Sequence, residues 1–182
     1  QTSKGRALRW IAHDPSNELK SFIEINKASN YEEFKSALLS YKCPGQNFIF
    51  ADKNGDIAII HTGTQPTRWF GQGRFIGDGS NPQYDWGEDI PYNQKPQIKN
   101  PRMGYISSAN QHPTDESYPY FLSGGFWMSY RAMQINRNLD TLYKANIDDM
   151  KNIQLNNKYG VAENILPALL KFISNDSLTF DD

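Results

Sequence analysis

Cysteine is almost absent from this chain. Cys43 is the only one in 182 residues, so no intrachain disulfide can form, and no cluster of thiolates can bind a metal within one chain. Long apolar runs are also lacking. No stretch approaches the roughly 20 apolar residues that a membrane span needs, and residues 1–6 have no apolar core of signal-peptide length. We therefore expect no membrane span, and composition leaves localisation open.

An excess of charge of one sign is missing as well. The chain has 19 Lys and Arg residues against 20 Asp and Glu residues. This balance argues against nucleic acid or an anionic membrane as a partner, because both attract strongly basic surfaces. Aromatic residues make up 13% of the chain and are scattered along it, which argues against disorder. We expect one compact unit over residues 1–182.

Several catalytic signatures are absent. The chain has no G-x-S-x-G elbow of a serine hydrolase, no P-loop and no dinucleotide-binding glycine motif. Gly71-Gln72-Gly73 is not followed by a predicted helix, and we interpret it as a turn. His13, His61 and His112 lie far apart in the sequence and lack the spacing of zinc ligands. We therefore expect no histidine metal site.

One segment begins like a calcium-binding loop but does not continue as one. Asp52, Asn54 and Asp56 alternate as the first ligands of an EF-hand do, yet Ile57 stands at the sixth position and Gly63 at the twelfth. An EF-hand has Gly and Glu at those positions. We interpret the segment as the turn of a hairpin.

Apolar residues recur at helical spacing near both ends of the chain. The pattern predicts helices over residues 17–27, 31–41, 127–142, 147–155 and 159–173. Either Ser29 or Asn30 offers a capping box at the start of the second helix, and Asn146 precedes the fourth. Pro167 is expected to kink the last helix, whose apolar stripe needs a covering surface.

Strands are predicted between the helical segments. Residues 46–52 and 56–61 are rich in aromatic and β-branched residues, and Asn54-Gly55 between them suits a type I′ hairpin turn. Residues 63–101 are rich in Gly, Pro, Asn, Asp and aromatic residues and predict a long irregular region that can include short strands. Residues 104–110 predict a further strand. The order of these elements indicates an α+β fold.

The polar cluster at residues 107–112 is the most informative stretch for chemistry. The side-chain amide of Asn110 follows the predicted strand directly, where it can donate to a developing oxyanion. Such a donor contributes roughly 3 kcal/mol in acyl transfer. An asparagine that caps a turn fits the same spacing. Arg131 begins a predicted helix, and taken alone it fits a surface cation.

Taken together, blocks of residues along the chain resemble the β-subunit of the penicillin acylase family of N-terminal-nucleophile hydrolases. The resemblance covers nearly the whole chain. The blocks are residues 9–15 with the helical pair that follows, 46–52 with 55–57, 84–87, 90–91, 100–101, 104–106, 109–111, 130–132 with 135, and 153–155.

The resemblance implies a fold and a reaction. The chain is expected to be a fragment of an αββα sandwich, with an antiparallel hairpin, an irregular aromatic-rich region and a C-terminal helical segment. In this family an N-terminal Ser, sometimes Thr or Cys, attacks an amide carbonyl, and its own α-amino group accepts the proton. Asn110 matches the side-chain donor of the oxyanion hole, and Arg131 matches the arginine that organises the site.

The sequence also departs from the family pattern. Position 1 is Gln, so the nucleophile is expected outside this chain, and the fragment alone is expected to be inactive. Its expected partners are the α-subunit and the rest of the β-subunit. The family's structural calcium uses an Asp between the matched Asn and Arg, but residues 118–130 contain none and Asp115 lies too close to Asn110. No cofactor is expected here.

The resemblance further implies an acyl-amide substrate of the penicillin or acyl-homoserine lactone type, and a periplasmic or exported enzyme. A rival hypothesis is a catalytically silent binding domain on the same framework, with residues 63–92 as its surface. The apolar stripe of the last helix also predicts self-association of the isolated fragment.

Overall fold

A computed structural model describes residues 5–122 and 129–173. It has helices α1 (Glu18–Ile25), α2 (Tyr31–Ala37), α3 (Tyr130–Asp140), α4 (Ile147–Gln154) and α5 (Gly160–Leu169), and strands β1 (Gln46–Ala51), β2 (Ile57–Thr62) and β3 (Gln97–Lys99). The predicted α+β class is confirmed.

The described residues fall into two compact units. Residues 5–106 with 113–122 form the first unit, and residues 107–112 with 129–173 form the second. The expected single unit over residues 1–182 stays a prediction. Across residues 5–122 and 129–173, none of the helices combines the length and the apolar character that crossing a membrane requires.

The predicted hairpin is present, but its turn differs from the expected type. β1 and β2 pair antiparallel, from Gln46 opposite Thr62 to Ala51 opposite Ile57. Gly55 has a φ of 92°, whereas Asn54 stays outside the positive-φ region. The Asp52 carboxylate accepts the backbone N–H groups of Asn54 at 2.9 Å and Asp56 at 3.0 Å. These bonds favour a longer loop with one left-handed glycine over a two-residue type I′ turn.

The third strand does not lie where the sequence predicted it. β3 pairs antiparallel with β2 and gives the sheet order β1-β2-β3. The predicted strand at residues 104–110 is wrong, because the chain there adopts bends and irregular backbone. Gly104 has a φ of 75° and Asn110 a φ of 62°, and neither value fits a strand.

α1 and α2 pack on one face of the sheet in the first unit. The predicted helix starts are confirmed, since the side chain of Asn17 caps α1 and that of Asn30 caps α2. Alternation along β2 places Ala58 and Ile60 against the helices, where both are buried. The core of this unit consists of Tyr31, Phe34, Leu38, Ala58 and Ile60, with Phe48, Phe50 and Tyr92 packed against it.

A buried cation ties the irregular region to the end of β2. The Nζ of Lys95 donates to the carbonyl of Gly63 at 2.6 Å and to Asp89 Oδ2 at 3.0 Å, and its side chain is only 4% exposed. The other carboxylate oxygen of Asp89 accepts the N–H of Gln65 at 2.6 Å. The region is thus irregular, as predicted, but fixed by specific bonds.

The second unit contains the three C-terminal helices. α3 begins at Tyr130, and the predicted start at residue 127 lies outside the described residues. α4 has the expected cap, a capping box between Asn146 and Asp149. α5 contains Pro167, ends at Leu169 and continues as one 3-10 turn over Leu170–Phe172.

Candidate active site

Asn110 lies in the second unit at the centre of the loop formed by residues 107–112. Its φ of 62° is left-handed, a conformation that asparagine tolerates better than most residues. The residue is exposed, whereas the preceding Ala109 is buried. The loop therefore presents the Asn110 side chain at the surface of its unit.

The guanidinium of Arg131 contacts this side chain directly. Arg131 is the second residue of α3, and its Nη2 donates a hydrogen bond to Asn110 Oδ1. A guanidinium has donors only, so the amide oxygen must face the arginine. The Nδ2 end of Asn110 consequently remains as the donor end of the amide.

The position of Arg131 is electrostatically unusual for a helix. The first turn of α3, residues 130–133, contains one cation and no carboxylate. A cation at the positive end of a helix dipole costs a few tenths of a kcal/mol up to about 1 kcal/mol. The positive end of the α3 dipole and the charge of the Arg131 guanidinium therefore lie together beside Asn110. Both favour a negative charge nearby.

Further hydrogen bonds restrain the Asn110 loop. The Gln111 Oε1 accepts the N–H of Ala109 at 2.7 Å, and its Nε2 donates to the carbonyl of Ser107 at 3.4 Å. The Ser107 hydroxyl donates to Oδ1 of Asn136 in α3 at 2.6 Å. These hydrogen bonds were not predicted from the sequence. The only available signal was the density of hydrogen-bonding side chains around Asn110.

The histidines and acidic residues form no metal site in the part of the chain described. Residues 5–122 and 129–173 contain no group of three His, Cys, Asp or Glu side chains that could hold a metal ion. Asp115 instead accepts the backbone N–H and the hydroxyl of Ser117, bonds that lower its pKa. His61 pairs with the Asn47 side chain across the hairpin.

Residues 1–181 match the sequence profile of a family described as penicillin amidase. The chain belongs to the penicillin amidase family. The resemblance inferred from the sequence blocks is thereby confirmed.

Named relatives of this chain are acylases. Penicillin G acylase of Escherichia coli is 29% identical over 150 residues, which cover 77% of this chain and 16% of that protein. The acyl-homoserine lactone acylase QuiP of Pseudomonas syringae pv. syringae is 30% identical over 138 residues, which cover 74% of this chain and 17% of that protein. The chain thus spans about a sixth of the length of these relatives.

A solved structure shows the same fold. Thermostable penicillin G acylase from Alcaligenes faecalis superposes with a TM-score of 0.65 over 91% of this chain and 30% of that chain, at 20% identity. The predicted N-terminal-nucleophile hydrolase fold is confirmed by this similarity. The matching family and the named relatives carry the names of hydrolytic acylases. The individual roles of Asn110 and Arg131 stay predictions.

Proposed function

We propose that this chain supplies the side-chain oxyanion donor of an acylase that cleaves an acyl group from an amine nitrogen. One observation carries the proposal. Arg131 holds the amide oxygen of Asn110, so the Nδ2 group of Asn110 is presented as a donor from an exposed loop. A tetrahedral intermediate needs such a preorganised donor for the oxygen that becomes negative.

Arg131 has two effects on this donor. It fixes which end of the Asn110 amide faces outward, because an arginine can only donate. Its positive charge also polarises the amide through the bonded oxygen, which makes the N–H a stronger donor. Together with the N-terminus of α3, it produces a positive potential that favours the oxyanion over the neutral carbonyl.

The remaining chemistry is assigned to residues outside this chain. An N-terminal serine attacks the amide carbonyl, and its α-amino group takes the hydroxyl proton and passes it to the departing amine. An acyl ester remains on the serine, and water then hydrolyses it to release the acid. In this proposal the 182 residues alone are inactive, and their partners are the remaining segments of the acylase.

The substrate class follows from what the named relatives share. Penicillin G and acyl-homoserine lactones differ in their amine parts, but each has an acyl group bound to nitrogen through an amide. We therefore propose an acyl amide as the substrate. A periplasmic or exported location is proposed by analogy with the family.

The test is to express the full-length protein that contains this chain. Intact mass reports autocleavage, and hydrolysis of phenylacetyl and fatty-acyl amides reports activity. Cleavage that exposes an N-terminal serine is expected. Asn110→Ala is expected to lower kcat by about 10²–10³-fold. Asn152→Ala is a matched control, because Asn152 is an exposed residue of α4 in the same unit.

An uncleaved and inert full-length protein would contradict the proposal. It would favour the rival binding domain with residues 63–92 as its surface. Phe70 and Phe75 in that region are 78% and 88% exposed, so they are available for contact with a partner.

A further inference from the structure

The Asn110 loop needs restraint that apolar packing does not provide. Asn110 is exposed and has a left-handed backbone, so its conformation depends on hydrogen bonds around it. The Gln111 side chain accepts the N–H of Ala109 and donates to the carbonyl of Ser107. These two bonds restrain the backbone directly N-terminal to Asn110. Opposite ends of one amide make these two bonds, which together fix the orientation of that amide.

The loop is also joined to α3 at two separate points. Arg131 donates a hydrogen bond to Asn110, and the Ser107 hydroxyl donates one to Asn136. The backbone carbonyl of Ser107 also accepts a hydrogen bond from the Gln111 side chain. A displacement of the loop relative to α3 would therefore have to break both attachments. The connected chain of bonds runs from α3 through Ser107 and Gln111 to the residue before Asn110.

We propose that Gln111 and the Ser107–Asn136 pair are positioning residues for the Asn110 donor. The proposal rests on the acylase function proposed above and adds residues that act only through Asn110. Oxyanion stabilisation depends on a donor that is held before the charge appears. A misplacement of about 1 Å can cost about 100-fold in rate, so loss of either restraint is expected to reduce kcat.

The experiment uses the full-length acylase and compares Gln111→Met with Gln134→Met. Gln134 is the control because its Nε2 donates to the Asn138 side chain, a bond within α3 that involves no residue of the loop. Gln111→Met is expected to lower kcat about tenfold with little change in KM. Gln134→Met is expected to leave both unchanged.

A double-mutant cycle separates positioning from general stabilisation. In the Asn110→Ala background, Gln111→Met is expected to have no further effect on kcat, because the group that it positions is gone. An equal loss of kcat in both backgrounds would overturn the proposal. Unaltered kcat in Gln111→Met, together with a full loss in Asn110→Ala, would overturn the positioning role but leave the proposed acylase function standing. Wild-type kcat in Asn110→Ala would overturn the acylase site itself.

A second pair of variants covers the case in which Gln111→Met does not fold. Ser107→Ala removes the hydroxyl that donates to Asn136, whereas Ser107→Thr retains a hydroxyl. The proposal expects reduced kcat in Ser107→Ala and its recovery in Ser107→Thr, with similar thermal midpoints for both. Equal kcat in these two variants would overturn it.

Discussion

The Arg131 guanidinium donates to Asn110 Oδ1 across 21 positions of sequence, within one compact unit. The bond joins a loop residue in a left-handed conformation to the first turn of α3. It thereby determines which end of the Asn110 amide can donate to a substrate. The proposed chemistry follows from this orientation.

Removal of Arg131 should reduce catalysis without unfolding the protein. Arg131→Met removes a donor from the Asn110 oxygen and the positive charge beside it, so kcat of the full-length acylase should fall by at least about tenfold. The residue is exposed, so the free energy of unfolding should change by less than about 1 kcal/mol. Steady-state kinetics and chemical denaturation measure both effects.

Arg137→Met is the control for that variant. Arg137 lies in the same helix and pairs with Glu163 of α5 at 3.7 Å, with its side chain 53% exposed. An exposed ion pair of this kind contributes about 0–1 kcal/mol, and it does not touch the Asn110 loop. Equal losses of kcat in the two variants would show that Arg131 has no specific role.

Lys95 should matter for stability far more than Lys99, which lies four residues later in the chain. Lys95→Met leaves the carbonyl of Gly63 and the carboxylate of Asp89 without their buried donor, at a cost of about 2–3 kcal/mol. Lys99→Met loses an ion pair to Asp56 in which the lysine side chain is 38% exposed, so solvent screening makes the cost of this loss much smaller. Urea denaturation of both variants checks the order, and equal costs would contradict it.

Asp56 should contribute to acid sensitivity. The hydrogen bonds from Lys99 and then from Asn100 lower the pKa of Asp56 below its ordinary value. A lowered pKa in the folded state adds stability above the ordinary pKa, and this stability is lost as pH falls through the lowered value. Below about pH 4, the thermal midpoint should therefore fall more in the wild type than in Asp56→Asn. Parallel curves for the two proteins would exclude this role.

Local pattern was sufficient to predict most of the regular structure. The helical spacing identified α1, α2 and α4, with Asn caps predicted for α2 and α4, and the Asn54-Gly55 dipeptide identified the hairpin. The predicted turn type was wrong, because the Asp52 carboxylate accepts hydrogen bonds from the loop backbone. The spacing of apolar residues does not predict such bonds. The hairpin was nevertheless placed correctly, because both segments are rich in aromatic and β-branched residues.

The third strand shows where local pattern fails. β3 has three residues and one apolar side chain, Ile98, so its pairing with β2 has almost no sequence signal. Residues 104–110 contain more apolar residues but adopt bends and irregular backbone, and side-chain hydrogen bonds hold this segment in place of strand pairing. In both segments the backbone conformation depends on contacts with residues far away in the sequence.

The candidate site was only partly readable. Spacing alone left Asn110 as a turn residue and Arg131 as a surface cation, and only the family resemblance connected them. Their contact depends on how α3 lies beside the loop, which no local pattern specifies. The attachment of Ser107 to Asn136, across 29 positions, was missed for the same reason.

Asn110→Asp in the full-length acylase tests the central claim most directly. Aspartate has the shape of asparagine and can keep the bond from Arg131, but a carboxylate has no N–H to donate. The account predicts a fall in kcat of about 10²–10³-fold with a nearly unchanged unfolding midpoint. A variant that retains kcat within about threefold of the wild type would show that Asn110 is not the oxyanion donor.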